Sequence, residues 1–171
     1  MGRSQNDKKR DERGGEGGLR AEIQQGKPFG SSETEAILNL WRTHAELAAG
    51  EQQLLEEHGL SMSSYNVLRI LRGAGSKGHP VREIRTRMVA RGADVTRLVD
   101  RLEKAELVER VRSSGDRRVV RVSITSKARR LLGRLDAPLQ ALHEAQLGHL
   151  SERELKQLSR LLEKARRADA S

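Results

Sequence analysis

Cysteine is absent from this 171-residue chain, and the aromatic side chains are one Trp, one Tyr and one Phe. Without thiols there is no disulfide and no thiol-based redox sensing, and a zinc site loses its commonest ligand. Three aromatics are too few for a stacking platform that reads single-stranded nucleic acid. A core drawn from Leu, Val, Ile and Ala suits helices better than a β-sandwich. No apolar run approaches the roughly 18 residues of a membrane-spanning helix. The charged, Gly-rich start offers no apolar stretch for a secretory signal, so a cytoplasmic protein without membrane attachment is expected. Signatures of catalysis are also scarce. His44, His58, His79, His143 and His149 form no HExxH pair. GAGSKG (Gly73 to Gly78) holds the letters of a phosphate-binding loop in the wrong order, and no strand precedes it. It reads as a flexible connection, and neither an enzyme nor a cofactor or metal is expected.

Positive charge, by contrast, is abundant: 33 Lys and Arg against 24 Asp and Glu give a formal net charge of +9. Such a balance attracts phosphate backbones through counterion release, though a merely basic surface would look the same until the arginines are placed. Residues 1–18 are charged, Gly-rich and almost devoid of apolar side chains, too little to offset the entropy of ordering. Residues 1–31 are therefore expected to be a mostly disordered basic tail, with one or two helical turns over Leu19 to Gln25.

From Ser32 the pattern becomes periodic. Ser32 and Glu35 have capping-box spacing ahead of an apolar stripe through Ile37, Leu40, Trp41, His44 and Leu47, and Gly59 closes the helix. Ser61 can cap a short helix carrying Tyr65, Leu68 and Leu71, and Pro80 can open another with Val81, Ile84 and Met88. A further helix runs from Gly92 or Ala93 to Ala105. The period then drops to two. Leu107 to Arg112 and Val120 to Ile124 read as the strands of a hairpin around Ser113 to Asp116. Thr125 or Ser126 restarts a helix that Pro138 should kink or split, with Asp136 capping the second part. Ser151 and Glu154 make a second capping box ahead of a last helix striped with Leu155, Leu158, Leu161 and Leu162. The predicted fold is mainly α with a small β-hairpin wing: a winged helix-turn-helix plus N- and C-terminal helices.

The helix before the hairpin is the most informative segment. Val95, Leu98, Val99 and Leu102 share one face, leaving Thr96, Arg97, Asp100 and Lys104 on the other with Arg101 at its margin. A polar face presented by such a scaffold can enter a major groove, where Arg bridges two acceptors on guanine and Thr meets a thymine methyl or a phosphate. Asp94 can cap this helix. A solvated, salt-bridged face is the competing reading, but the hairpin shifts the balance: Arg112, Asp116, Arg117, Arg118 and Arg121 cluster from the end of its first strand through its turn and second strand. Arginines on a β-ribbon can reach a narrow minor groove. Asp116 is expected to pair with one of them and hold another in place.

SGDRRVVRVSIT (Ser114 to Thr125) resembles the wing of the MarR family, with Asp116, Arg118, Val122 and Thr125 on the family pattern D-x-R-x-x-x-V-x-L-T and Ile124 in place of its Leu. DVTRLVDRLEKAELVERV (Asp94 to Val111) resembles the family's recognition helix and first wing strand, and LSMSSYNVLRIL (Leu60 to Leu71) its second helix. The resemblance spans about Ser32 to Ala168. It implies a homodimeric transcriptional regulator, usually a repressor, that binds a palindromic operator in double-stranded DNA. Residues 32–59 and 126–168 would then be dimerisation helices and residues 60–125 the DNA-binding lobe. It also implies release by a small phenolic or carboxylated ligand. In the urate-responsive branch, two arginines match Arg97 and Arg110, whereas an Asp of that branch is Asn66 here and its N-terminal Trp has no counterpart. Asn66, Arg97 and Arg110 could still suit a carboxylate. The alternative is that Arg97 reads DNA and Arg110 makes a salt bridge. Lacking cysteine, the chain falls outside the peroxide-sensing branch. An interaction module without DNA binding and a sequence-blind architectural DNA binder are the other readings.

Overall fold

The computed structural model describes residues 18–112 and 120–167, apart from the side chain of Arg112. The expectations for the tail up to residue 17 and for Asp116, Arg117 and Arg118 at the wing tip lie outside the described residues. The fold comprises two compact units, residues 1–49 and 50–171, the boundary falling within one long helix.

In the first unit a single helical turn, α1 (Leu19–Glu22), precedes the start of α2 (Ser32–Glu56). Arg42 on α2 reaches Glu22 on α1 at 3.8 Å. The cap of α2 is Ser31, not Ser32: the Thr34 N–H donates to Ser31 Oγ at 3.2 Å. The two serines are chemically equivalent caps, and starting one residue earlier gains one more backbone hydrogen bond. Ile37, Leu40 and Trp41 are 47%, 39% and 67% exposed.

The second unit holds the end of α2, then α3 (Met62–Gly73), α4 (Val81–Arg87), α5 (Val95–Lys104), β1 (Val108–Arg112), β2 (Val120–Ile124), α6 (Ser126–Leu147) and α7 (Glu152–Arg166). Its core is drawn from the end of α2, the stripes of α3 to α6 and the inner face of the wing strands, while α7 contributes no buried residue. Leu55, Leu68, Leu71, Ile84, Leu132 and Leu135 are wholly enclosed. Each such side chain contributes about 1.5–3 kcal/mol relative to an exposed one. Ser61 caps α3 by accepting from the Ser64 N–H at 3.2 Å, and Ser151 and Glu154 form the expected capping box on α7. Among the described residues, no helix is long and apolar enough to cross a membrane.

Three further local expectations differ from what the chain adopts. Pro138 does not split α6, which runs unbroken through it. The proline lies on the exposed side, where water can satisfy the carbonyl it leaves free, while buried Leu135 and Leu139 seat the helix on either side. Asp136 is accordingly no cap. It accepts both prongs of the Arg72 guanidinium from α3, at 2.7 and 2.9 Å. The connection from Gly73 to Pro80 is not a loose loop either. Gly75–Lys77 forms a single 3-10 turn, and His79 pairs with Val122 of β2 through two backbone bonds of 3.0 and 2.8 Å. The sheet edge supplies partners that the segment could not reveal alone.

The Arg72 bond holds the Asp136 carboxyl below the ordinary aspartate range. A carboxyl lowered on folding stabilises above its unfolded pKa and loses that contribution as pH falls through the folded value. Asp136→Asn should therefore flatten the acid limb of a stability-against-pH curve measured by urea unfolding and leave its alkaline limb unchanged in slope. An unchanged acid limb would remove the pair from the stability of the α3–α6 packing.

Candidate nucleic-acid interface

Seating α5 is a matter of its four apolar positions: Val95, Leu98, Val99 and Leu102 are all buried, at most 4% exposed. That leaves Thr96, Arg97, Arg101 and Lys104 exposed together on the outer face. Asp94 is the N-cap, and it holds the arginine as well as the helix. Its Oδ1 accepts the Arg97 N–H at 3.2 Å, and its Oδ2 lies 3.2 Å from Arg97 Nε. The Arg97 side chain is nevertheless 85% exposed, so its fork is oriented but available. Arg101 and Lys104 have no ion-pair partner among the described residues.

A shallow groove lies between the start of α3, at Ser61 and Ser63, and the outer face of α5. In the sequence Ser61 stood out only as a helix cap, and Ser63 carried no signal. Exposed Arg82 and Arg85 on α4, and Arg91 in the turn before α5, were missed as well. The i, i+3 spacing of the α4 pair on the polar side of a helix was the available signal.

The wing is an antiparallel pair in which Val108 faces Ile124 and Arg112 faces Val120. Arg112 is thus placed by its backbone at the distal end of β1. Arg121 is not a wing cation free for DNA. Its guanidinium donates to the carbonyls of Lys77 at 2.7 Å and Gly78 at 3.0 Å, closing the turn onto β2.

The three residues considered for a small ligand each have a partner within the chain. Asn66 Oδ1 accepts from the Val89 N–H at 2.9 Å, and Arg97 is held by Asp94. Arg110 bonds Asp100 at 2.5 Å and also Glu103; the Asp100 bond is the main reason its guanidinium pKa lies above the ordinary value. The salt bridge weighed as the alternative role of Arg110 is therefore formed. No grouping of acidic and histidine side chains suited to a metal occurs among the described residues.

Three short helices, the third offering a polar face, followed by a two-stranded ribbon, define a winged helix-turn-helix protein. The family model described as MarR family matches residues 60–120. The HTH-type transcriptional repressor MdtR of Bacillus subtilis is 31% identical over 114 residues, 67% of this chain and 72% of that protein. A MarR transcription factor from Planctomyces limnophilus is 41% identical with a TM-score of 0.61, covering 80% of this chain and 98% of its own. BpsR of Bordetella bronchiseptica, described through regulation of its DNA binding by 6-hydroxynicotinic acid, is 25% identical with a TM-score of 0.71, covering 84% of this chain and all of its own. The chain belongs to the MarR family and is a winged-helix transcriptional regulator; the relatives named here are regulators, not enzymes.

Proposed function

We propose that this protein is a repressor that binds a palindromic operator as a homodimer in the cytoplasm. The observation that carries this reading is Arg97: it projects from the first turns of α5, is 85% exposed, and is steadied by the N-cap Asp94. Thr96 and Arg97 would meet base edges in the major groove, while Arg101 and Lys104 would meet phosphates. Arg112, Arg117 and Arg118 of the wing would reach the adjacent minor groove, with Asp116 orienting one of them. Residues 32–59 and 126–168 would supply the dimer helices and 60–125 the reading lobe. Two copies would address half-sites about 10 bp apart. Regulation by a small aromatic or carboxylated effector is supported by BpsR, whose DNA binding responds to 6-hydroxynicotinic acid.

Selection from a random duplex library tests this reading. The expected winner is a palindrome preferred over a scrambled duplex by roughly a thousandfold or more. Arg97→Ala should cut that preference by roughly ten- to a hundredfold, the worth of one bidentate base contact. Arg101→Ala should weaken both duplexes alike and lower the salt slope by about one. Tight binding without sequence preference would make the protein architectural instead.

A further inference from the structure

Strand alternation puts Arg110 on the inner face of the wing, an unusual place for a charged side chain. Val108 is buried, and Arg110, two residues on, shares its side of the strand, while Val111 faces outward and is 46% exposed. Arg110 pairs in register with fully buried Val122, at the center of the hairpin. From there its guanidinium spans two carboxylates one turn apart on α5: Nη2 to Asp100 and Nη1 to Glu103. Only 30% of the side chain is exposed. Without it, like charges at i, i+3 would repel each other on a helix meant to approach phosphates. At the other end, Asn66 on α3 accepts from the Val89 N–H, in the turn leading into α5. Apolar packing seats α5 but is non-directional; these bonds are directional, Arg110 joining α5 to the wing and Asn66 fixing the segment between α4 and α5 to α3.

We infer that Arg110, assisted by Asn66, is a positioning residue that sets the angle of α5 against the wing, so that DNA specificity depends on a side chain that need not touch DNA. This rests on the operator reading above. The fork geometry matters: a lysine carries the charge but cannot bridge both carboxylates with fixed geometry.

The test uses the full chain, the selected duplex and its scrambled counterpart at constant salt, together with hydrogen exchange of the α5 amides without DNA. Arg110→Met should lower the preference ratio roughly tenfold or more, within the range of one lost base contact, and speed α5 exchange. Binding to the scrambled duplex should change far less. Adding Asp100→Asn and Glu103→Gln to Arg110→Met removes the stranded charges but not the missing bridge, so the ratio should stay low. A restored ratio would overturn the inference in favor of simple charge. Unchanged ratio and exchange in Arg110→Met would overturn it outright. If Arg110→Met does not fold, Arg110→Lys carries the same comparison, with an intermediate loss expected. Wild-type protein lacking any base preference defeats the operator reading, and exchange alone then decides: faster α5 exchange sustains the positioning role, unchanged exchange defeats it. Asn66→Asp, which keeps an acceptor for Val89, should rescue what Asn66→Ala loses.

Discussion

Gly78→Ala should destabilise the protein by about 3 kcal/mol or more, while Gly75→Ala three residues earlier should cost only about 1 kcal/mol. Both glycines have positive φ, +63° at Gly75 and +56° at Gly78, so both substitutions are strained, and at Gly78 a ψ of −171° adds a conformation that essentially only glycine adopts. They differ in what a methyl group would meet. At Gly75 there is open space, but at Gly78 a Cβ would lie 2.3 Å from the Val122 carbonyl oxygen and 3.0 Å from its carbon. That obstacle is backbone in a hydrogen-bonded strand and cannot rotate aside. Relieving it means opening the His79–Val122 pair and the two Arg121 bonds that close the turn, each worth about 1 kcal/mol. Urea unfolding of both variants measures the contrast. Equal losses would mean that the turn can move off the wing at little cost.

The second large effect concerns assembly. Leu158 and Leu161 on α7 are 38% and 55% exposed in the single chain. If they lie in the homodimer interface, Leu158→Glu with Leu161→Glu should yield a monomer in sedimentation velocity. Two-fold symmetry places each new charge in the interface twice, and each lost leucine forfeits about 1.5–3 kcal/mol of burial. Affinity for the palindrome should fall by roughly a hundredfold or more as two linked half-sites become independent. Neither leucine belongs to the buried core, so far-UV circular dichroism should retain the helices. The single Trp, Trp41, is 67% exposed in the isolated chain. Its emission would shift to the red on dissociation if dimerisation covers it. A variant that dimerises as tightly as the wild type would remove this stripe from the interface.

Much of the candidate site was legible in the residue order because it depends on local repetition. The spacing of Val95, Leu98, Val99 and Leu102 specifies which face of α5 is seated, and so which face carries Thr96, Arg97, Arg101 and Lys104. The role of Asp94 as cap and the box at Ser151 and Glu154 follow from bonds spanning three residues. Alternation in Val120, Val122 and Ile124 gave the second wing strand. Near-equivalent neighbors escaped this logic, as Ser31 and Ser32 did, because a one-residue shift leaves the local chemistry almost unchanged.

By itself, then, the sequence determined the class of fold, the order of its elements and the apolar face of each, since helix and strand periods are set by the backbone. The tertiary structure alone decided which charges are spent inside the molecule. Asp136 belongs to Arg72, 64 residues away, and Arg121 to the Lys77 carbonyl, 44 away. Arg110 belongs to two acids on the neighboring helix. In sequence these arginines are indistinguishable from Arg97 or Arg101. Packing fixes their partners because an ion pair needs atoms within a few ångströms, and only the folded chain brings such distant residues that close.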